Sequence, residues 1–256
     1  MRSTETARRI EPADRSVRAA GFIYLLLVVT SIFGFFVPQT LMVPQDAAAT
    51  AHKILASETL FRLAIVSGLI ATIAFVFLAR ELYRLLSGVN RPRASLMVVL
   101  VLLSIPISFV TSLNEIAALR FIHGPALSGL APSQMNALAT FFLGLSSDTS
   151  ALNSIFFGLW LLPFGLLVIE SGFIPRFLGY MLIIAGGSYL VGSLNFLLAN
   201  PLGPIVSSIA TVGYLGELAV VAWLVVKAAQ VQFGRSNSVI KNRPKSDSNL
   251  EGGNVW

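Results

Sequence analysis

The chain alternates long apolar stretches with short polar breaks. Each stretch reaches or approaches the ~20 residues that a helix needs to cross ~30 Å of hydrocarbon. The stretches are continuously apolar, which is typical of membrane helices and not of barrel strands. Their positions are Ala19–Val37, Leu60–Ala79, Leu96–Ala118, Leu152–Ile169, Phe177–Leu198 and Ile205–Val226. The pattern therefore predicts an all-α fold, a polytopic membrane bundle of six transmembrane helices.

The polar breaks contain start signals for further helices. Asp46 can cap a short helix in the first outer connection, and Ser57 can cap the second span. Pro132 suits the first position of a short helix in the second outer connection, reaching residues 139–145. Asp148 then lies in a polar segment that is typical of a loop and cap before the fourth span. We therefore predict short surface helices in both of the longer outer connections.

Proline and glycine inside the spans predict departures from straight, widely spaced helices. Pro106 and Pro163 lie within the third and fourth spans, where a missing N–H should bend the helix. Small residues let helix backbones approach closely in membranes. Candidates for such close packing are Gly186-Gly187 and the series Gly179, Gly187 and Gly192.

The distribution of basic residues orients the spans. With the N-terminus in the cytoplasm, fifteen of the 18 Lys and Arg residues fall on the inner side. Only Lys53, Arg62 and Arg120 fall outside. Because basic loops stay in the cytoplasm, both termini are predicted to be cytoplasmic, in the cytoplasmic membrane. The chain then divides into a cytoplasmic arm (1–18), a transmembrane domain (19–227) and a disordered cytoplasmic tail (228–256).

Composition mainly excludes functions. The chain is 55% hydrophobic and 12% charged, which leaves no room for a separate soluble domain in 256 residues. The net charge of +6 is explained by topology, so we expect the lipid bilayer and not nucleic acid as the partner. The absence of cysteine excludes disulfides, thiolate metal sites and cysteine nucleophiles. No motif predicts a cofactor, a metal or a catalytic residue.

Glu217 is the strongest candidate for a functional side chain. It lies about nine residues before the inner end of the sixth span, roughly 13 Å deep at 1.5 Å per residue. An ionisable group at that depth is costly and marks a functional site by default. Thr72 and Tyr189 fall at a similar depth and are candidate hydrogen-bond partners. The structural alternative is a protonated Glu217 that only joins two helices.

A second polar group is predicted near the outer ends of the spans. Arg62 and Glu115 are expected to form an ion pair between spans two and three, beside Asn114. This group either fixes helix packing or forms the mouth of a small-ligand site. The only histidines, His52 and His123, also fall on the outer side.

Several stretches of the chain resemble those of a known protein family. The most specific lie in connections, where hydrophobicity alone does not dictate sequence: Asp46–Arg62 and Ser171–Gly179. Others lie within spans, at Ala20–Gly34, Phe156–Gly165 and Gly216–Leu224. Together they resemble domain-of-unknown-function family 4386 (DUF4386), a bacterial family of multi-pass membrane proteins. The resemblance implies a membrane protein and no established activity, ligand or catalytic residue.

The sequence favours a non-enzymatic integral membrane protein, either a component of a small-solute or ion pathway or an accessory subunit. Glu217 motivates the pathway. One alternative is a membrane-embedded enzyme acting on a lipid or lipid-linked substrate at the outer face. That enzyme would need His52, His123, Glu115 and Asp148 to converge. Another is a structural scaffold for a protein partner, which predicts an apolar groove and no buried charge.

Overall fold

All regular secondary structure in the described part of the chain is helical. The computed structural model describes residues 2–124, 129–198 and 217–227, with side chains from residue 16 onward. These residues form seven helices. They are α1 Arg2–Leu41, α2 Ala47–Ala56, α3 Glu58–Leu86, α4 Arg91–Ile122, α5 Pro132–Ser171, α6 Arg176–Leu197 and α7, residues 217–227.

Five of the seven helices are long and apolar enough to cross a membrane: α1 from Ser16, α3, α4, α5 and α6. This confirms five of the six predicted spans. In the sixth, residues 205–216 lie outside the described residues and 217–226 belong to α7, so it stays a prediction. The N-terminal arm continues α1 as helix from Arg2. The predicted disordered tail, 228–256, lies outside the described residues.

The spans pack mainly against their neighbours in the chain. α1 packs on α3, α3 on α4, α4 on α5 and α5 on α6, while the short α2 lies against α5. Arg93 at the start of α4 pairs with Glu170 at the end of α5. We call this side of the bundle the Glu170 end. The opposite side, where α4 finishes beside His123, is the His123 end.

Two apolar cores hold the helices together. One extends toward the Glu170 end and contains stacked Trp160 and Phe164, with Phe75 edge-on to the indole. The other lies at the His123 end, where Ile54 of α2 and Phe61 of α3 are fully buried. Large apolar side chains also point outward, as befits helices in contact with lipid.

The helix starts agree with the sequence in all but one detail. The backbone N–H of Ala49 donates to the Asp46 carboxylate at 2.8 Å, which confirms the predicted cap. Pro132 is the first residue of α5, as predicted. Ser57 occupies the cap position of α3, but its side chain makes no capping bond there.

The predicted second surface helix is wrong as a separate element. α5 runs without a break from Pro132 to Ser171, so Asp148 lies inside a helix and caps nothing. The polar segment stays helical because its hydroxyls bond to their own helix: Thr149 Oγ1 donates to the Leu145 carbonyl at 2.6 Å, and Ser150 Oγ to that of Ser146 at 3.0 Å. Pro106 and Pro163 lie within the continuous helices α4 and α5.

Glycines set the closest approach between α5 and α6. A Cβ atom on Gly158 would lie 2.7 Å from the Gly186 carbonyl oxygen, and one on Gly165 would lie 2.7 Å from that of Gly179. Gly179 and Gly186 were both among the predicted packing glycines. Gly187 is not at this contact, since a Cβ there would meet nothing within 4 Å.

Candidate functional site

Glu217 makes a direct hydrogen bond across two helices. The Tyr189 hydroxyl on α6 donates to Glu217 Oε2 on α7 at 2.8 Å. Tyr189 is therefore a partner of Glu217, as the depth of the two residues predicts. Thr72 is not positioned this way: its hydroxyl donates to the carbonyl of Gly68, one turn earlier in α3, at 2.9 Å. A threonine in a helix commonly satisfies its hydroxyl on its own backbone.

A third residue, which the sequence did not suggest, lies beside this pair. Tyr24 of α1 is 2% exposed and belongs to the apolar core that contains Val220 and Val221 of α7, with Tyr189 packed against it. Its hydroxyl oxygen is buried and has no hydrogen-bond partner among the residues that the structure describes. Tyr24, Tyr189 and Glu217 thus bring α1, α6 and α7 together, and we call them the Glu217 cluster.

The predicted ion pair between Arg62 and Glu115 is not formed. Arg62 Nε instead bonds to Glu58 Oε1, one turn away on α3, at 2.5 Å. His123 Nε2 lies 3.1 Å from the same oxygen. Residues four apart share one face of a helix, so Glu58 meets Arg62 before any group on α4 can.

Glu115 points to α5 and not to α3. Its side chain is buried, 8% exposed, and accepts a 3.4 Å hydrogen bond from Ser146. Two turns along the same contact, Asn153 Nδ2 lies 2.9 Å from Ser108 Oγ. The Asn153 Oδ1 atom is buried and accepts no hydrogen bond from any described residue. We call this line of groups between α4 and α5 the polar seam.

Two further asparagines lie on α4 and α6. Asn114 is half-buried on α4, next to Glu115 in sequence. Asn195 of α6 is buried, and nearby Ser193 donates to the Ala151 carbonyl of α5 at 2.9 Å. Polar contacts of α5 therefore reach both α4 and α6 near the His123 end.

A groove of ≈ 750 Å³ opens between α3 and α4 at the His123 end. The edge of the groove nearest the helix ends, which we call the rim, consists of Arg62, Arg120 and His123. Its apolar lining, the wall, continues deeper along the two helices. The wall residues are Ile65, Val66, Leu69, Ile116 and Leu119.

Comparison with known proteins gives a family and no function. The model of the family described as "Domain of unknown function (DUF4386)" matches residues 19–228. The chain belongs to this family. The match runs from the start of the first predicted span to the end of the last, which confirms the resemblance seen in the sequence. No curated protein and no solved structure matches the chain.

The four residues required by the enzyme alternative have separate surroundings. His52 is exposed on α2, and Asp148 is exposed on α5. His123 lies by Glu58, whereas Glu115 lies by Ser146. Among the residues that the structure describes, no group of three His, Cys, Asp or Glu side chains could hold a metal ion.

Sequence reasoning missed a buried acid at the Glu170 end. Glu81 of α3 is 6% exposed, and its Oε1 atom lies 3.1 Å from Arg80 and 3.2 Å from Arg84. The signal was present, since an acid three residues before an arginine on a helix predicts a pair. The scaffold alternative expects no buried charge, and the buried Glu81 carboxyl, paired with Arg80 and Arg84, disagrees with that expectation. The groove between α3 and α4 does match that alternative's other expectation.

Proposed function

We propose that the chain is a non-enzymatic integral membrane protein of the bacterial cytoplasmic membrane, in which the Glu217 cluster is the cation-binding part of a small-solute or ion pathway. Both termini are cytoplasmic in this proposal, so the Glu170 end is the inner end of the bundle. Charge supports this orientation, because fifteen of the 18 Lys and Arg residues then lie inside.

The depth of Glu217 supports a role beyond packing. Glu217 lies ten positions before Lys227, the last described residue of α7. Ten positions correspond to roughly 15 Å along a helix. A carboxyl at such a depth is costly in hydrocarbon unless it holds a proton or pairs with a cation. Intramembrane acids of this kind commonly belong to ion pathways and proton relays.

The observation that carries the proposal is the pair of phenols beside one carboxyl. Tyr189 already donates to Glu217, whereas the Tyr24 hydroxyl meets no hydrogen-bond partner within the described part of the chain. Buried polar groups with a purely structural role are nearly always paired. An unpaired phenol can donate to a carboxylate and offers lone pairs to a cation, so it suits a site that changes between two occupancies.

Reconstituted protein tests this function directly. Liposomes containing the purified chain and an indicator dye for H⁺, Na⁺ or K⁺ are placed under an imposed potential, and the flux of each ion is followed with its own dye. We expect Glu217→Gln to lower the protein-dependent flux at least about tenfold, because it removes the only full charge of the cluster. Tyr24→Phe and Tyr189→Phe should lower it less, since each keeps the carboxyl.

Matched controls separate the cluster from general damage. Tyr180→Phe makes the same change at a 57% exposed tyrosine of α6. Glu170→Gln removes an acid at the helix end, where surface pairs contribute little. Both variants should retain wild-type flux. A folded Glu217→Gln protein with unchanged flux, or a wild-type protein that moves none of the three ions, would contradict the pathway.

A further inference from the structure

The groove between α3 and α4 combines a basic rim with an apolar wall. Arg62 lies in the second turn of α3, and Arg120 lies in the last turn of α4. The wall residue Leu69 is seven positions further along α3, about 10 Å deeper at 1.5 Å per residue. Charge is therefore placed near the helix ends and apolar surface below it, which is the arrangement of a lipid with its headgroup at the interface.

The rim has more positive than negative groups. Arg62 and His123 share the single acid Glu58. Arg120 is exposed and forms no ion pair with any residue that the structure describes. The guanidinium groups of Arg62 and Arg120 thus offer donors in the geometry that suits a phosphate group. In the proposed orientation, these two arginines are also two of only three basic residues on the outer side.

The wall is open toward the surrounding bilayer. Val66 is 49% exposed and Ile116 is 37% exposed, although both line the groove. A soluble anion would gain nothing from this surface, whereas an acyl chain can pack along it without leaving the apolar interior of the bilayer. The volume of ≈ 750 Å³ falls within the range of small-molecule sites.

We propose that this groove binds an acidic glycerophospholipid, with the headgroup phosphate between Arg62 and Arg120 and one acyl chain along the wall. Glu58 opposes binding, because its carboxylate competes with the phosphate for Arg62 and His123. This occupant is favoured because the basic rim complements the charge of its phosphate. The apolar wall is also continuous with the interior of the bilayer, where the acyl chain lies. The proposal does not depend on the Glu217 cluster, which lies on other helices.

Lipid binding to the purified protein tests the proposal. Native mass spectrometry in detergent compares phosphatidylglycerol with phosphatidylcholine of the same acyl chains. We expect a preference for phosphatidylglycerol of about tenfold, which Arg62→Gln/Arg120→Gln should abolish. The control Arg91→Gln/Arg176→Gln removes two exposed arginines at the Glu170 end and should keep the preference. Glu58→Gln should raise the affinity for phosphatidylglycerol about threefold, since it removes the competing carboxylate.

The Glu58 variant keeps the test decisive even where the double arginine variant does not fold. A preference that survives the loss of both rim arginines would overturn the proposal, as would unchanged or weaker binding in Glu58→Gln. Inorganic phosphate should not displace the lipid at millimolar concentration. Displacement by phosphate would identify a soluble anion as the ligand instead, and loss of a dimer on lipid addition would identify a second copy of the chain.

Discussion

Helix α5 contacts α4 through polar side chains and contacts α6 through glycines, although both contacts repeat at the same spacing along the helices. Toward α4, Ser146 and Asn153 meet Glu115 and Ser108 in the polar seam. Toward α6, Gly158 and Gly165 meet Gly186 and Gly179. On every helix the two contact positions are seven residues apart. This spacing keeps one face of an antiparallel pair in register over two turns.

The two contacts show two ways in which the helices of this bundle are held together. Lipid is as apolar as leucine, so helices in a membrane associate through close packing and hydrogen bonds and not through the hydrophobic effect. The glycine contact uses the first means, since backbone atoms of α5 and α6 approach each other directly. The polar seam uses the second, and there the Asn153 side-chain carbonyl oxygen has no partner among the described residues.

The two contacts lie one after the other along α5. The seam residues Ser146 and Asn153 lie nearer the His123 end than Gly158 and Gly165 do. We infer that the glycine part supplies rigidity, because backbones in contact leave little room for alternative side-chain positions. The seam part, with its incompletely satisfied groups, is more readily rearranged.

Loss of the glycine contact should lower the free energy of unfolding more than the other changes considered below. Gly158→Ala places a methyl group 2.7 Å from the Gly186 carbonyl oxygen, a backbone atom that cannot rotate away. Overpacking of this kind typically costs about 1–3 kcal/mol, more than the ~1 kcal/mol that alanine gains over glycine in a helix. The free energy of unfolding should therefore fall, as measured by circular dichroism during denaturant titration in mixed micelles.

Gly187→Ala is the control for that experiment. It makes the same change on α6 one residue from the contact, where a Cβ would meet nothing within 4 Å. It should be neutral or slightly stabilising. Equal losses in the two variants would show that the glycines matter for helix flexibility and not for the α5–α6 approach.

The glycine contact also shows what the sequence could and could not predict. The seven-residue spacing of Gly158 and Gly165 matches that of Gly179 and Gly186, and this was a usable signal. Choosing Gly186 over Gly187 needs the rotation of α6 about its axis. That rotation depends on the whole interface, and an almost uniformly apolar helix does not encode it locally.

Local signals were reliable where the backbone itself decides. The Asp46 cap and the Pro132 start depend on a few adjacent atoms, and both were confirmed. The loop expected at Asp148 was wrong because serine and threonine can satisfy their hydroxyls within a helix. The Arg62–Glu115 pair was wrong because depth in the membrane gives no direction around the helix axis.

We expect a smaller loss of stability at the contact between α1 and α3, where only one of the two glycines is tightly packed. A Cβ on Gly34 would lie 2.9 Å from the Gly68 backbone nitrogen, yet a Cβ on Gly68 would meet nothing within 4 Å. Gly34→Ala should therefore destabilise the fold by about 1–2 kcal/mol, and Gly68→Ala should not. The same titration measures both. Destabilisation of equal size in both variants would contradict this one-sided geometry.

The smallest expected effect is at the polar seam. The bond between Asn153 and Ser108 joins α5 to α4, and interhelical hydrogen bonds in membranes contribute only about 0.6 kcal/mol on average. A double-mutant cycle with Asn153→Ala and Ser108→Ala should give a coupling of that size. Ser154, which bonds only within α5, is the control partner: Asn153→Ala with Ser154→Ala should show no coupling. A coupling above about 2 kcal/mol would make the seam as strong as the glycine contact. It would contradict the inference that the seam part of α5 is more readily rearranged than the glycine part.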